Sequence, residues 1–121
     1  MWLFTRYGFY SIACANKVDG SLDSQSVMVR ARVTEHLSNL KNRFSAVADA
    51  EVLTLPERDY RYRLIIPKQT WVSVVAELAE EQDWSNFKNE AARYQGTRGS
   101  SYISTLHRVW SEMYQLQRKS H

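Results

Sequence analysis

One cysteine, two prolines, four glycines and no long apolar run remove several kinds of protein at once. Cys14 has no second cysteine to pair with, which excludes an internal disulfide framework and a multi-cysteine metal site. His36, His107 and His121 show no metal-ligand spacing, and there is no H-E-x-x-H or C-x-x-C. The glycines build no P-loop, no G-x-G-x-x-G and no G-x-S-x-G. Gly96 and Gly99 share a loop ahead of a helix, which is a weak phosphate signal. Nothing here nominates a catalytic residue, a metal ligand or a cofactor, so the chain reads as a non-catalytic protein. No segment approaches the roughly 18 apolar residues of a membrane helix. Residues 1–15 end in Ala13-Cys14-Ala15, a superficial likeness to a cleavage site, and Cys14 follows Ser11-Ile12-Ala13, loosely like a lipoprotein box. A secretory signal needs positive charge ahead of an unbroken apolar run of roughly 7–15 residues. Here Arg6 interrupts the run and nothing basic precedes it. The expectation is a cytoplasmic protein with no membrane partner.

What is present suits a folded domain. The 121 residues, 44% of them hydrophobic, suffice for one α+β domain over 1–121 without covalent staples. Sixteen basic against 13 acidic residues leave only +3, but the basic set is skewed, with 11 arginines and five lysines, and 15 aromatics accompany it.

Aromatic and β-branched residues from Leu3 to Ile12 predict a long first strand. Asp19-Gly20 marks a turn. Val27 to Val33 alternates as a second strand, and Thr34 is placed to cap a helix carrying Leu37, Leu40 and Phe44. Residues 51–55 and 60–66 supply the third and fourth strands, bounded by Pro56 and Pro67. A helix follows with Trp71, Val74, Val75 and Leu78 on one stripe. A short helix capped by Asp83 or Ser85 comes next, then a last helix from about Tyr102. The order β-β-α-β-β-α-α predicts a four-stranded antiparallel sheet with helices on one face. It is that of a circularly permuted ferredoxin-like sandwich with an extra C-terminal helix, the strands lying first, second, fourth, third.

That order makes the two arginine-bearing strands neighbours. Alternation places Arg30, Arg32, Arg61 and Arg63 on one face with Met28 and Ile65, and Tyr60, Tyr62, Leu64 and Ile66 on the helix-covered face. Four guanidiniums on one face suit phosphate or carboxylate, so nucleic-acid or small-anion binding is one expectation. Tyr7, Phe9 or Tyr10 would supply a stacking ring. The alternatives are arginines paired with Asp or Glu across strands, or a face covered by a partner subunit. A second group, Asp59 with Asn86 and Lys88 at a helix start, could contact a phosphate, as a binder or as a small enzyme acting on a phosphorylated metabolite. It could equally fix the helix by ordinary capping. In the last helix Trp110, Met113 and Tyr114 exceed what one buried face needs, which predicts an oligomer interface and a homo-oligomer as the default partner.

Met1-Trp2-Leu3-Phe4-Thr5 with Gly8-Phe9, Val29-Arg30-Ala31-Arg32, Asp59-Tyr60-Arg61-Tyr62-Arg63, Ser85-Asn86-Phe87-Lys88 and Val109-Trp110 span most of the chain. In order and spacing they resemble a family of small uncharacterised bacterial proteins. The family pattern has proline where this chain has Arg61. The resemblance implies no activity; it implies a compact cytoplasmic bacterial domain of uncharacterised role.

Overall fold

Thr5 decides how the chain begins. In the computed structural model, which describes residues 1–119, its Oγ1 accepts the N–H groups of Tyr7 and Gly8, each at 3.1 Å, and donates to the Gly8 carbonyl at 2.9 Å. A threonine hydroxyl that bonds nearby backbone in this way competes with strand pairing and closes a turn. The expected single strand over 3–12 is therefore two strands, β1 (Trp2–Thr5) and β2 (Gly8–Asn16), paired antiparallel from Thr5↔Gly8 to Trp2↔Ser11. A second hairpin turns at Asp19-Gly20: the Asp19 carboxylate accepts the Ser21 N–H at 2.9 Å, and Gly20 takes the left-handed φ of 88°. The chain returns as β3 (Leu22–Ala31), longer at its start than the alternation from Val27 suggests. Its pairing with β2 shifts register between Cys14 and Ala15.

Helix α1 (Thr34–Arg43) follows, with Val33 at its cap and Thr34 already inside the first turn. A short 3-10 turn (Ser45–Val47) leads to the two-residue strand β4 (Leu53–Thr54). Next come β5 (Tyr62–Pro67) and α2 (Lys68–Glu80). Pro67 ends the strand, with φ near −58°, and caps the helix. The sheet has five antiparallel strands in the order β1-β2-β3-β5-β4, where the sequence predicts four. The extra edge strand is β1, and the arginine-bearing β3 and β5 are neighbours at the centre.

Strict alternation gives the sheet its core face. Tyr10, Ile12, Val27, Val29, Ala31, Leu64 and Ile66 are all buried, against Leu37 and Leu40 of α1, Phe44 at its C-terminal cap, and Trp71 and Val74 of α2. Each Val, Leu, Ile or Phe among them contributes about 1.5–3 kcal/mol through burial. Two tyrosines in this core keep their hydroxyls satisfied: Tyr10 donates to the His36 carbonyl at 2.5 Å, and Tyr7 to Glu81 Oε1 at 2.6 Å.

The chain divides into two compact units, Met1–Asp83 and Trp84–His121. In the second, α3 (Phe87–Gln95) is capped by Asn86, whose side chain accepts the Asn89 N–H at 2.9 Å; neither Asp83 nor Ser85 takes that role. After a 3-10 turn (Gly96–Gly99), α4 (Ser100–Lys119) buries Tyr102 and Leu106. Among the described residues no helix is long and apolar enough to cross a membrane. His121 lies outside the described residues.

Candidate functional site

Directly opposed residues of an antiparallel pair share a face. On the face away from α1 and α2, one such row runs Trp2↔Ser11↔Arg30↔Arg63↔Leu53 across all five strands. Beside it lie Ala13↔Met28↔Ile65 and Phe4↔Phe9. Arg30 and Arg63 are thus nearest neighbours on the two central strands.

The Arg30 guanidinium donates to Ser11, at 2.9 Å to Oγ and 3.3 Å to the carbonyl. Arg63 donates to the Tyr60 carbonyl at 3.1 Å and reaches Met28 Sδ at 3.4 Å, while its Nε is buried with no acceptor. Burial and then the charges of Arg30 and Arg58 push the Arg63 pKa below its ordinary value. Among the described residues no ion pair with a carboxylate reaches either arginine. The nearby acid, Asp59, pairs instead with Arg32 at 3.0 Å.

Tyr60 stands on this face and not on the helix-covered one. It precedes β5, so strand alternation does not extend to it. Its ring is buried, with the Arg32 guanidinium 4.2 Å and that of Arg30 5.0 Å from its centroid. Such contacts contribute about 0.5–2 kcal/mol each and fix both guanidiniums over a flat apolar surface. The Tyr60 ring continues to Phe9 at 6.4 Å, and Phe9 to Phe4 at 4.5 Å in a stacked pair and to Trp2 at 5.9 Å edge-on. Trp2 is 68% exposed.

Arg61 does not join the group. It is exposed and hydrogen-bonded to Tyr62, whose hydroxyl, bonded to Thr34 and Arg61, is held below the usual tyrosine pKa. Tyr7 and Tyr10 are fully buried in the core and offer no stacking ring, which leaves Phe9 of the three expected. Trp2, Phe4 and Tyr60 are the aromatic members that strand periodicity missed. The spacing of Trp2 and Phe4 by two was a usable signal, once Thr5 and Gly8 are taken as the end of a strand.

The second predicted group is engaged elsewhere. Asp59 serves Arg32, and Asn86 caps α3. Lys88 Nζ lies 5.1 Å from the Trp110 ring centroid and 3.4 Å from His107 Nδ1. Trp110 stacks on Tyr114 at 5.5 Å and beside His107 at 6.2 Å. Trp110, Met113 and Tyr114 are exposed at 55%, 59% and 43%. Among the described residues no three His, Cys, Asp or Glu side chains group as metal ligands.

Comparison with known protein families, curated proteins and solved structures finds no match for this chain.

Proposed function

We propose that the face of the Met1–Asp83 sheet opposite α1 and α2 binds a phosphate-bearing ligand without transforming it. The observation that carries this is the register pairing of Arg30 with Arg63, unaccompanied by a carboxylate and with Arg63 Nε buried and unmet. Like charges directly opposite each other are destabilising, and a buried donor without an acceptor costs free energy. A bound phosphate would relieve both, because guanidinium offers it planar, paired donors. Arg32 and Tyr60 extend the same surface. The arrangement of strands supports a permuted ferredoxin-like reading of this unit, with β1 added at the edge, and a cytoplasmic setting goes with the same proposal.

The test is thermal melting in inorganic phosphate and tripolyphosphate against sodium chloride of equal ionic strength. The wild type is expected to melt higher in the phosphates, and the Arg63→Leu and Arg30→Ala variants to lose that increment. Equal melting of the wild type in all three salts, or an increment that survives both substitutions, overturns the proposal.

A second reading has its own observation, the exposed Trp110, Met113 and Tyr114 of α4. An apolar group of this kind on a surface is typical of an interface, and a second copy of this chain is its proposed occupant. Sedimentation over a concentration series is expected to show a dimer that Trp110→Ala weakens. A strict monomer at hundreds of micromolar rejects it.

A further inference from the structure

We infer that the phosphate-bearing ligand is a single-stranded nucleic acid whose bases stack on Trp2, an assignment that rests on the phosphate-binding face proposed above. The arginine pair alone would serve any phosphate. What it does not explain is the continuous path of flat rings leading away from it. Arg30 lies over Tyr60, Tyr60 leads to Phe9, and Phe9 leads to Trp2 on the edge strand. Phe4 stacks behind Phe9 and holds it in place. Exposure rises along the path: Tyr60 is 7% exposed, enclosed by its arginines, Phe9 and Phe4 are half-buried, and Trp2 is 68% exposed. A large indole at a sheet edge, held edge-on to a fixed ring, presents a surface on which a base can stack.

Trp2 and Arg30 flank Ser11 in one row, so they stand two strand spacings apart, about 10 Å. Cations beside stacking rings are the combination that single-stranded nucleic acids require, the first for the backbone and the second for the bases. A duplex hides its bases from such a surface, and the flat of a five-stranded sheet is a poor fit for a major groove that admits a helix or a two-stranded ribbon. The face also has few groups free to read base edges, since the Ser11 hydroxyl is already occupied by Arg30. Recognition is therefore by charge and stacking, with little sequence preference.

The experiment is fluorescence anisotropy with labelled oligomers of one length: oligo(U), oligo(dT), an abasic phosphodiester and a duplex. Base-bearing single strands are expected to bind about tenfold more tightly than the abasic oligomer, the effect of stacking one base. Trp2→Ala removes that advantage and leaves abasic binding and the phosphate melting increment unchanged, while Trp2→Phe keeps part of it. Arg63→Leu weakens every oligomer. Circular dichroism melting confirms that each variant is folded. Equal binding of base-bearing and abasic oligomers, both dependent on Arg63, overturns the inference and leaves phosphate binding standing. So does a duplex that binds as tightly as the single strands, or an advantage that survives Trp2→Ala. If no oligomer binds and phosphate still raises the melting temperature, this inference alone fails; if neither effect is seen, both fail.

Discussion

Arg30 and Arg63 face each other directly across β3 and β5, and Arg63 Nε is buried without an acceptor. A sheet built for stability alone would place an acid opposite an arginine. Asp59 is close enough to reach Arg32 and does so, which leaves the central pair without a carboxylate. The arrangement therefore costs free energy in the absence of ligand. Arg63→Leu is expected to leave stability unchanged or raise it by up to about 2 kcal/mol, because the charge repulsion and the unmet donor go together. Urea unfolding measures this. A loss above about 2 kcal/mol would show instead that the bonds to the Tyr60 carbonyl and Met28 make Arg63 a structural tie.

Asp59 competes with any anion for Arg32. The pair is exposed, 52% and 78% for the two side chains, and such pairs contribute about 0–1 kcal/mol. Asp59→Asn should therefore change stability by less than about 1 kcal/mol while strengthening phosphate or oligomer binding by up to about fivefold. Anisotropy titration checks it, and weaker binding by the variant would exclude Arg32 from the binding face.

Much of this surface is legible in the sequence. The alternation in Val27 to Val33 and Tyr60 to Ile66, with helices after each strand pair, predicts adjacent central strands, and β3 and β5 are adjacent. Two things escaped, for related reasons. Period-two reasoning carries a face along a strand but does not say where the strand stops. Tyr60 lies two residues before β5 begins and so changes face, and Arg61 leaves the group with it. At the other end of the sheet, Thr5 bonds the Tyr7 and Gly8 N–H groups and folds one expected strand into two. That turn moves Tyr7 into the core and sets Trp2 and Phe4 beside Phe9. A side-chain hydroxyl competing for backbone donors is a local event that propensity does not register. The α4 stripe was legible in its buried half, Leu106, and in the surplus formed by Trp110, Met113 and Tyr114.

Glu81 ties the first hairpin turn to the C-terminal ends of both helices of its unit. It accepts from Tyr7 at 2.6 Å and from Arg43 at 2.7 Å and forms an ion pair with Arg6 at 3.3 Å, with its own side chain 11% exposed. Burial, and then the hydrogen bond to Glu81, raises the Tyr7 pKa, so the phenol stays protonated and donates. Glu81→Gln removes the charge that two arginines share and is expected to cost about 2–3 kcal/mol. Tyr7→Phe, which removes one donor and keeps the buried ring, should cost about 1 kcal/mol. Urea unfolding of the two variants decides the order, and equal costs would show that the arginine contacts contribute nothing.

Gly8 lets the β2 backbone approach α1. A Cβ at this position would lie 2.3 Å from His36 Cγ and 2.5 Å from His36 Cβ, and φ is +154°, where side-chain-bearing residues are strained. Neither the backbone nor the stem of His36 can yield cheaply. Gly8→Ala should therefore destabilise by about 3 kcal/mol or more. A thermal melt within a degree of the wild type would show that α1 can shift away from the sheet without loss.

The same contact predicts how stability responds to acid. His36 Nδ1 accepts the Phe9 N–H at 3.2 Å, which requires that nitrogen to be unprotonated. Burial lowers the His36 pKa from its ordinary 6.5, against the opposing pull of the Glu35 charge. The unfolded chain takes up a proton near pH 6.5, and the folded chain resists doing so until lower pH. More protons are then bound by the unfolded state, so stability rises with pH across that window. The contribution is complete above about pH 6.5 and is lost as pH falls from there through the folded value. His36→Asn keeps a short side-chain acceptor and removes the titration. It should be less stable at pH 7.5, by about 1–3 kcal/mol for the lost ring packing, yet show a shallower fall between pH 7 and pH 5 than the wild type. Urea unfolding across that range isolates the slope from the absolute value. Parallel curves would show that the acid sensitivity does not come from His36.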